Sequence, residues 1–526
     1  MLDIGNLSML RESNRIEFKS ASGGLPNSLW ETYSAFANTD GGFIVLGVRE
    51  DKDGTPHASG LPSPERLRKQ IWDVLNNRKK TSANILVDAD VTIDSFEQSP
   101  VVVISVPRAA REDRPVFIND DMFGGSYRRN GEGDYHCSRF DVTSMVRDSY
   151  PGSIDKQVLD YISLDSMSVE TIRRYRNQFD NIRLGHPWSS LSELEFLLRL
   201  GAVGRSAKDN ELHPTHAGLL MFGEAWVVTD EYPDFFLDCR QVTEGRRWDN
   251  RVTSSTGDWS GNVFDFYGRA YRMLAEGLPV PFRLDASMRR IDDTPQHKAI
   301  REGLANALIH ADYYGRGGIV AIRYLNRVEI ANPGLLRTPV DVIRAGGLSD
   351  PRNATLATMF NLLSIGEKAG SGFDVLRRAA QSVDKPEPEL RELFNPERVY
   401  LTMYLEVNGL GFGLRGNGSL FGEAGADEWS AAYENEQERT KANESERKRP
   451  KRDVEGIEAL SAQERELLSV IRSSEGPVKA IDIASLMGLG KTRTSELIAG
   501  LVKKGYVVPE GATRSRKYRL SSGGEG

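Results

Sequence analysis

A chain of 526 residues is long enough for three or four domains, and hydrophobic residues at 39% suffice for globular cores if polar linkers dilute them. Two cysteines, Cys137 and Cys239, lie far apart and outside any metal-ligand spacing, which excludes a disulfide scaffold and fits a reducing cytosol. The net charge of −7 excludes whole-molecule attraction to nucleic acid, so any such binding must rest on a local basic patch.

The first ten residues, "MLDIGNLSML", are too short and too acidic for a secretory leader, and no apolar run reaches membrane-spanning length. A cytoplasmic location without a membrane partner is expected. In "RESNRIEFKSA", Glu12 and Glu17 would sit about 140° apart on a helix, so one helical face cannot unite them. The second half suits a strand, with Ile16 and Phe18 facing inward and Arg15, Glu17 and Lys19 on the other side. A lysine and a carboxylate on one strand face, with a second carboxylate from the preceding turn, can hold a divalent cation beside a phosphate. Glu50, Asp51 and Asp53 in "GVREDKDG" offer a third acidic group. A surface ion-pair strand and an acidic turn explain the same residues. "LWETYSAFANTDGG" reads as a helix ending at Asn38, with Gly41 and Gly42 as the stop. "GFIVLGV" and "SPVVVISVPR" read as buried strands. Arg128 and Arg129 in "GGSYRRNGEG" are candidates for phosphate contact or for a solvated turn.

A charged helical stretch follows from about 153 to 205, then "LHPTHAGLLMFGEA", a turn and an apolar run. In "REGLANALIHADYYGRGG" the residues Leu304, Ala305, Ala307, Leu308 and Ile309 give a helix an apolar side. Glu302, Asn306 and His310 recur at steps of four and form one polar stripe on it. One stripe can present a base and a metal ligand to the same phosphates. Beyond it come alternating apolar residues in "GGIVAIRYLNRVEIANPG" and the helical "RNATLATMFNLLSIGEKAGSGFDVLRRAA". After Val407 the chain turns Gly-rich and then highly charged. It cannot bury enough surface to fold, so a disordered linker is expected over 408–456.

Order is expected again from Ile457. Ser461 and Glu464 form a capping pattern ahead of Leu467, Leu468 and Ile471. A short helix, a turn at Gly488–Gly490, a longer helix from Lys491 to Lys504 and a hairpin then follow, an order that resembles a winged helix-turn-helix. Lys491 and Arg493 begin the second helix, where base edges are read. Arg514, Arg516 and Lys517 on the wing suit phosphates. A wing used for protein contact is the competing reading.

"ESNRIEFK…AFANTDGGFIVLGVREDKDG" resembles the Schlafen AlbA-type domain over about residues 8–145. In vertebrate relatives that domain is an endoribonuclease with three acidic residues, and many bacterial members are nucleic-acid-binding regulators. Glu12 and Glu17 match the first two acids; Arg49 stands where the third is common, leaving Glu50 or Asp51 to serve. "REGLANALIHADYY…EIANPGLL…DPRNATLATMF…IGEKAGSGFDVL" resembles the divergent, RecG-like ATPase domain of the GHKL superfamily over about 206–405. The resemblance implies that Glu302 orients the attacking water and that Asn306 coordinates magnesium. It implies adenine contact at Asn332 and Gly334, where Asn replaces the usual Asp, and a phosphate cradle at Gly370, Ser371 and Gly372. It places His310 and Asp312 near a lid.

The expected architecture is therefore multidomain α+β: a Schlafen AlbA-type α/β domain over 1–145, a helical connector over 146–205, a GHKL-like α/β sandwich over 206–407, the linker over 408–456 and a winged helix over 457–522. The expected function is an ATP- and nucleic-acid-binding regulator of transcription, homo-oligomeric, using ATP and Mg²⁺. It would meet DNA through the winged helix, and DNA or RNA through the N-terminal domain. The alternative is a metal-dependent nuclease gated by ATP, with Mg²⁺ or Mn²⁺ at the N-terminal acids, in antiphage defence. An ATP-dependent scaffold is a third reading.

Overall fold

The computed structural model describes residues 13–242, 248–280, 293–366, 370–394 and 396–406, and toward the C-terminus 467, 471, 477–487, 491–503, 506–510 and 517–520. The chain divides into two compact units, Met1–Leu414 and Arg415–Gly526. It is a multidomain mixed α/β protein with several separate sheets.

The first sheet orders its strands β1 (Ile16–Lys19), β2 (Gly42–Leu46), β6 (Ser99–Val106) and β5 (Val91–Phe96). β1 and β2 run parallel, joined by α1 (Ser28–Asn38), and the other pairs are antiparallel. Ile44, Leu46, Val102 and Ile104 face α1 and α2 (Pro64–Leu75), while Val45, Val101 and Val103 face a second apolar layer with Phe18 and Phe96. Both faces are covered, which is why these strands read as continuous apolar runs rather than as alternation. The helix stop lies where the glycines predict it. Gly41 has φ +69°, and a Cβ there would sit 2.7 Å from Val106 O. Asn38 is buried and ties strands together, donating from Nδ2 to Val116 O (2.8 Å) and Tyr127 O (3.1 Å) and accepting from Val116 N (2.8 Å). Gly47 breaks the next strand at φ +95°, so the run continues as the short hairpin β3 (Val48–Glu50) and β4 (Pro56–Ala58). A further hairpin, β7 (Tyr127–Asn130) and β8 (Gly133–His136), leads into α3 (Arg139–Ser149), which opens on a Ser138–Asp141 capping box.

The second core runs without a break from Leu159 to Leu405. α4 (Val169–Ile182) and α5 (Glu193–Leu200) bring Tyr175, Phe179 and Phe196 into it, and Tyr175 Oη donates to Met359 O (2.7 Å). The stretch expected as a helical connector over 146–205 thus contributes side chains to the core of the region that follows it. Phe179, Trp188 and Phe196 pack on one another within the stretch, while Tyr175 reaches beyond it to Phe222 and Phe264. The large sheet has the order β12 (Asn250–Thr253), β11 (Leu237–Gln241), β13 (Ile319–Arg323), β14 (Arg327–Pro333), β16 (Glu397–Tyr404) and β15 (Glu389–Phe394). Only the β11–β13 pairing is parallel. α8 (Val263–Ala275), α9 (Pro295–His310) and α12 (Gly372–Gln381) pack against this sheet through the shared core. α10 (Val340–Ala345) and α11 (Ala354–Leu362) lie in the connection between β14 and α12.

In the second unit the helices Ala480–Leu486 and Lys491–Lys503 accompany a three-stranded antiparallel sheet in which Lys517–Leu520 lies between Val478–Lys479 and Val507–Glu510. Leu467, Ile471, Ile483, Leu497, Ile498, Leu501 and Val507 form its core. The linker expected over 408–456 and the Ser461–Glu464 cap lie outside the described residues.

Candidate functional site

α9 begins cleanly because Thr294 caps it, accepting from His297 N (3.4 Å), and Pro295 occupies the first turn. The stripe it carries opens onto a cleft. Glu302, Asn306 and His310 all line one cleft of about 1020 Å³, counting space open to solvent, bounded by α9, β14, β16, the 335–350 loop and the start of α12. Asn306 Nδ2 donates to Glu302 Oε1 (2.9 Å), which orients the carboxylate and leaves the lone pairs of the Asn306 amide oxygen as a potential ligand for a cation. Glu302 is 5% exposed, a buried carboxylate.

The cradle is made of glycines. A Cβ on Gly372 would lie 2.4 Å from Glu302 Oε1 and 3.0 Å from Asn306 Nδ2, so the N-terminus of α12 meets the two polar side chains face to face. Gly370 has φ +74°, and a Cβ there would reach 2.5 Å from Leu348 O. Ile330, Leu335, Ile343, Phe373 and Leu376 supply an apolar wall. An apolar slot ending in a helix N-terminus, an amide oxygen and a carboxylate fits a purine nucleotide with its phosphates and a divalent ion. Asn332 lines the cleft from β14, with its Nδ2 donating to Pro333 O (3.2 Å). Gly334, at φ +89°, follows it. Ser371 precedes α12. Burial lowers the His310 imidazole to about 4, and the guanidiniums of Arg352 and Arg337 add to the shift, so it is neutral at pH 7.

Asp312 does not join this cleft. It accepts from Arg147 Nη2 (2.9 Å) and Ser144 Oγ (3.3 Å), both on α3. Sequence reasoning missed Arg337, Asp350 and Arg352, which line the cleft. "DPRNATLATMF" held the last two, but no spacing marked them.

Among the described N-terminal acids, Glu17, Glu50 and Asp51 lie on or beside β1 and β3. Glu17 accepts from Lys19 Nζ (2.8 Å) and pairs with Arg129 Nη2 (2.9 Å). Arg129 also donates to Asp134 (2.9 Å). Asp51 faces Arg49 (3.8 Å) and His57 (3.5 Å), and Glu50 sits on β3. Among the described residues no group of three or more His, Cys, Asp or Glu is placed to hold a metal ion; Glu12 lies outside them. Arg128 is not on a solvated turn. It is buried on β7 and paired with Asp141 (3.2 Å) and Glu397, the latter 269 residues away. Lys491 and Arg493 fall in the first turn of their helix, and Lys517 is exposed at a strand start. Arg514 and Arg516 lie outside the described residues. No helix among the described residues is long and apolar enough to cross a membrane.

Residues 12–138 match the family model "Schlafen, AlbA_2" and residues 317–402 match "Putative ATP-dependent DNA helicase recG C-terminal". Residues 143–238 match a domain of unknown function. The chain thus carries a Schlafen AlbA_2-type region and a RecG-C-terminal, ATPase-like region. The latter match takes in Asn332, Gly334 and Gly370–Gly372 but begins after α9, so Glu302 and Asn306 stand on geometry. No curated protein matches the chain. Among solved structures, the DIP2311 protein from Corynebacterium diphtheriae is 19% identical, with 96% of this chain and 95% of that one covered and a TM-score of 0.36. The N-terminal domain of a "Putative ATP-dependent DNA Helicase RecG-related Protein" from Nitrosomonas europaea is 28% identical, covering 26% of this chain and 90% of that one, with a TM-score of 0.21.

Proposed function

We propose that the protein is an ATP-binding, nucleic-acid-binding regulator whose nucleotide site is the cleft beneath α9. The observation that carries this reading is the meeting of Glu302 and Asn306 with the glycine-built start of α12. Asn306 would hold a magnesium ion, which neutralises phosphate charge when bound. Glu302, buried and oriented by Asn306, is placed to accept a proton from water. The apolar wall takes the base, and Asn332 faces it with an amide.

Nucleic-acid binding is supported by the Schlafen AlbA_2 match and by the basic residues of the C-terminal unit, read as a winged helix that contacts DNA. A regulatory role fits this pairing of a nucleotide site with a DNA contact, and homo-oligomer formation goes with it. The nuclease reading is the weaker one. Glu17 already faces two cations, and a metal ion would have to displace them.

Calorimetry of the full chain with Mg–ATP tests the cleft. The wild type should bind, Asn306→Ala should weaken binding at least about 10-fold, and Glu302→Gln should bind but show no turnover. Absence of binding by the wild type would remove the reading. Incubation with labelled RNA and DNA, with and without Mg²⁺ or Mn²⁺, separates regulator from nuclease by whether the strand is cut.

A further inference from the structure

The 335–350 segment of the cleft wall is held to Glu392 by Leu336 N (2.7 Å), to Gly370 O by Gly347 N (3.3 Å) and to Arg377 on α12 through Arg344 O (2.9 Å), but its link to α9 is different. The 335–350 loop and the C-terminal end of α9 are joined by Arg352, which donates from Nη1 to His310 O (2.6 Å) and from Nη2 to Leu335 O (2.9 Å). That guanidinium is in turn gripped from outside the nucleotide region. Asp148, next to last in α3, accepts from Arg352 Nε (3.0 Å) and Nη2 (2.8 Å), and from Arg337 Nε (2.9 Å). Solvent is largely shut out: the side chains of Asp148, Arg337 and Arg352 are 15%, 6% and 12% exposed. Gly334 leaves no slack, since a Cβ there would fall 2.6 Å from Arg352 Nη1.

The grip is broader than one residue. Arg111 donates from Nε to Asp350 (2.7 Å), a cleft residue, and from Nη1 to Asp148 O (3.0 Å). Arg147, beside Asp148 on α3, holds Asp312 two residues past α9 (2.9 Å). Bidentate, charge-assisted bonds in a shielded setting tolerate little displacement. A shift of α3 therefore strains the C-terminal end of α9 and the loop.

We propose that Asp148 is a positioning residue of the nucleotide cleft, acting through Arg352 and Arg337, and that nucleotide binding is transmitted through it to α3. This rests on the reading of the cleft as a nucleotide site. The link must run both ways, so whatever displaces α3 changes nucleotide affinity by the same factor.

The test uses the full chain, with hydrogen exchange of residues 139–149 followed with and without a saturating non-hydrolysable Mg–ATP analogue, and calorimetry alongside. Wild-type α3 should exchange severalfold more slowly when nucleotide is bound. Asp148→Asn keeps the shape but not the charge. It should weaken nucleotide binding by about 10-fold and lose the protection of α3. Should that variant fold poorly, Arg111→Ala removes the more peripheral grip and should act in the same direction with a smaller effect. Nucleotide that binds the wild type while α3 exchange stays unchanged overturns this inference and leaves the cleft reading intact. So does full affinity in Asp148→Asn. No binding heat in the wild type overturns both.

Discussion

Replacing Gly372 by alanine separates the stability of the fold from the integrity of its cleft. The added Cβ would lie 2.4 Å from Glu302 Oε1, whereas ordinary contact begins at 3.4 Å. The carboxylate must retreat by about 1 Å, and Asn306, at 3.0 Å, must give slightly as well. The atom that yields is the tip of a flexible side chain, so the fold accommodates it cheaply. Gly372 is the first residue of α12, so only part of the helix-interior advantage of alanine over glycine, about 1 kcal/mol, is gained there. Denaturant unfolding should therefore place the variant within about 1 kcal/mol of the wild type. The site cannot absorb the move so easily, because misplacement by about 1 Å costs as much as 100-fold in a reacting geometry. Mg–ATP affinity should fall about 10-fold, or about 1.4 kcal/mol, in calorimetry. A Gly372→Ala protein with wild-type nucleotide affinity would refute the placement of the phosphates between α9 and α12.

Other outcomes follow from features away from that contact. Asp155 is buried and accepts from Thr355 N (2.8 Å) and Leu356 N (2.9 Å) at the start of α11, so Asp155→Ala should cost about 3 kcal/mol in urea unfolding. His310 has its folded-state value depressed to about 4 from the ordinary 6.5. As pH falls through 6.5 the unfolded chain takes up this proton first, so stability drops between pH 6.5 and about 4, by about 3 kcal/mol in all. His310→Gln should flatten the pH dependence of unfolding in that window. Asp148 acts in a lower one: burial pushes its carboxyl up, but Arg352, Arg337 and Arg114 pull it more strongly down, well below the ordinary 3.8, so its contribution is lost only below that pH. In the full chain, Arg516→Ala should weaken duplex DNA binding for all sequences alike and flatten the salt slope by about one unit. An unchanged slope in fluorescence anisotropy would argue against phosphate contact by the wing.

α9 was legible because its information is local. A four-residue step puts Glu302, Asn306 and His310 on one face whatever the surroundings, and glycines at 370 and 372 signal a close approach. The strand runs of the first sheet were legible for the same reason. Arg128 was not. A basic residue in a turn-like string says nothing about whether Glu397 will arrive beside it, and that meeting decides between solvent and burial. Asp148, Arg337 and Arg352 escaped notice likewise, since charged residues at ordinary spacings acquire a role only through contacts across about 200 positions. The helices of 146–205 were recognisable, but their need for a distant partner was not, because an amphipathic pattern shows which face is buried and not against what.

The shared core decides where the chain can be cut. A fragment starting near 206 would lose Tyr175, Phe179 and Phe196 together, and with them the hydroxyl and guanidinium that satisfy Met359 O, Asn361 O and Leu362 O on and beside α11. The resulting apolar wound and orphaned carbonyls make such a piece a poor candidate for expression. The seam before Leu159 is of another kind. The first sheet closes its main core between Ala21 and Val116, and the ties from 108–148 to the nucleotide region are ion pairs and polar bonds. Salt bridges can be rehydrated, whereas a bared aromatic cluster cannot, so a cut between Asp148 and Asp155 would keep the shared core and the start of α11 while giving up the hold of Asp148 on the cleft wall.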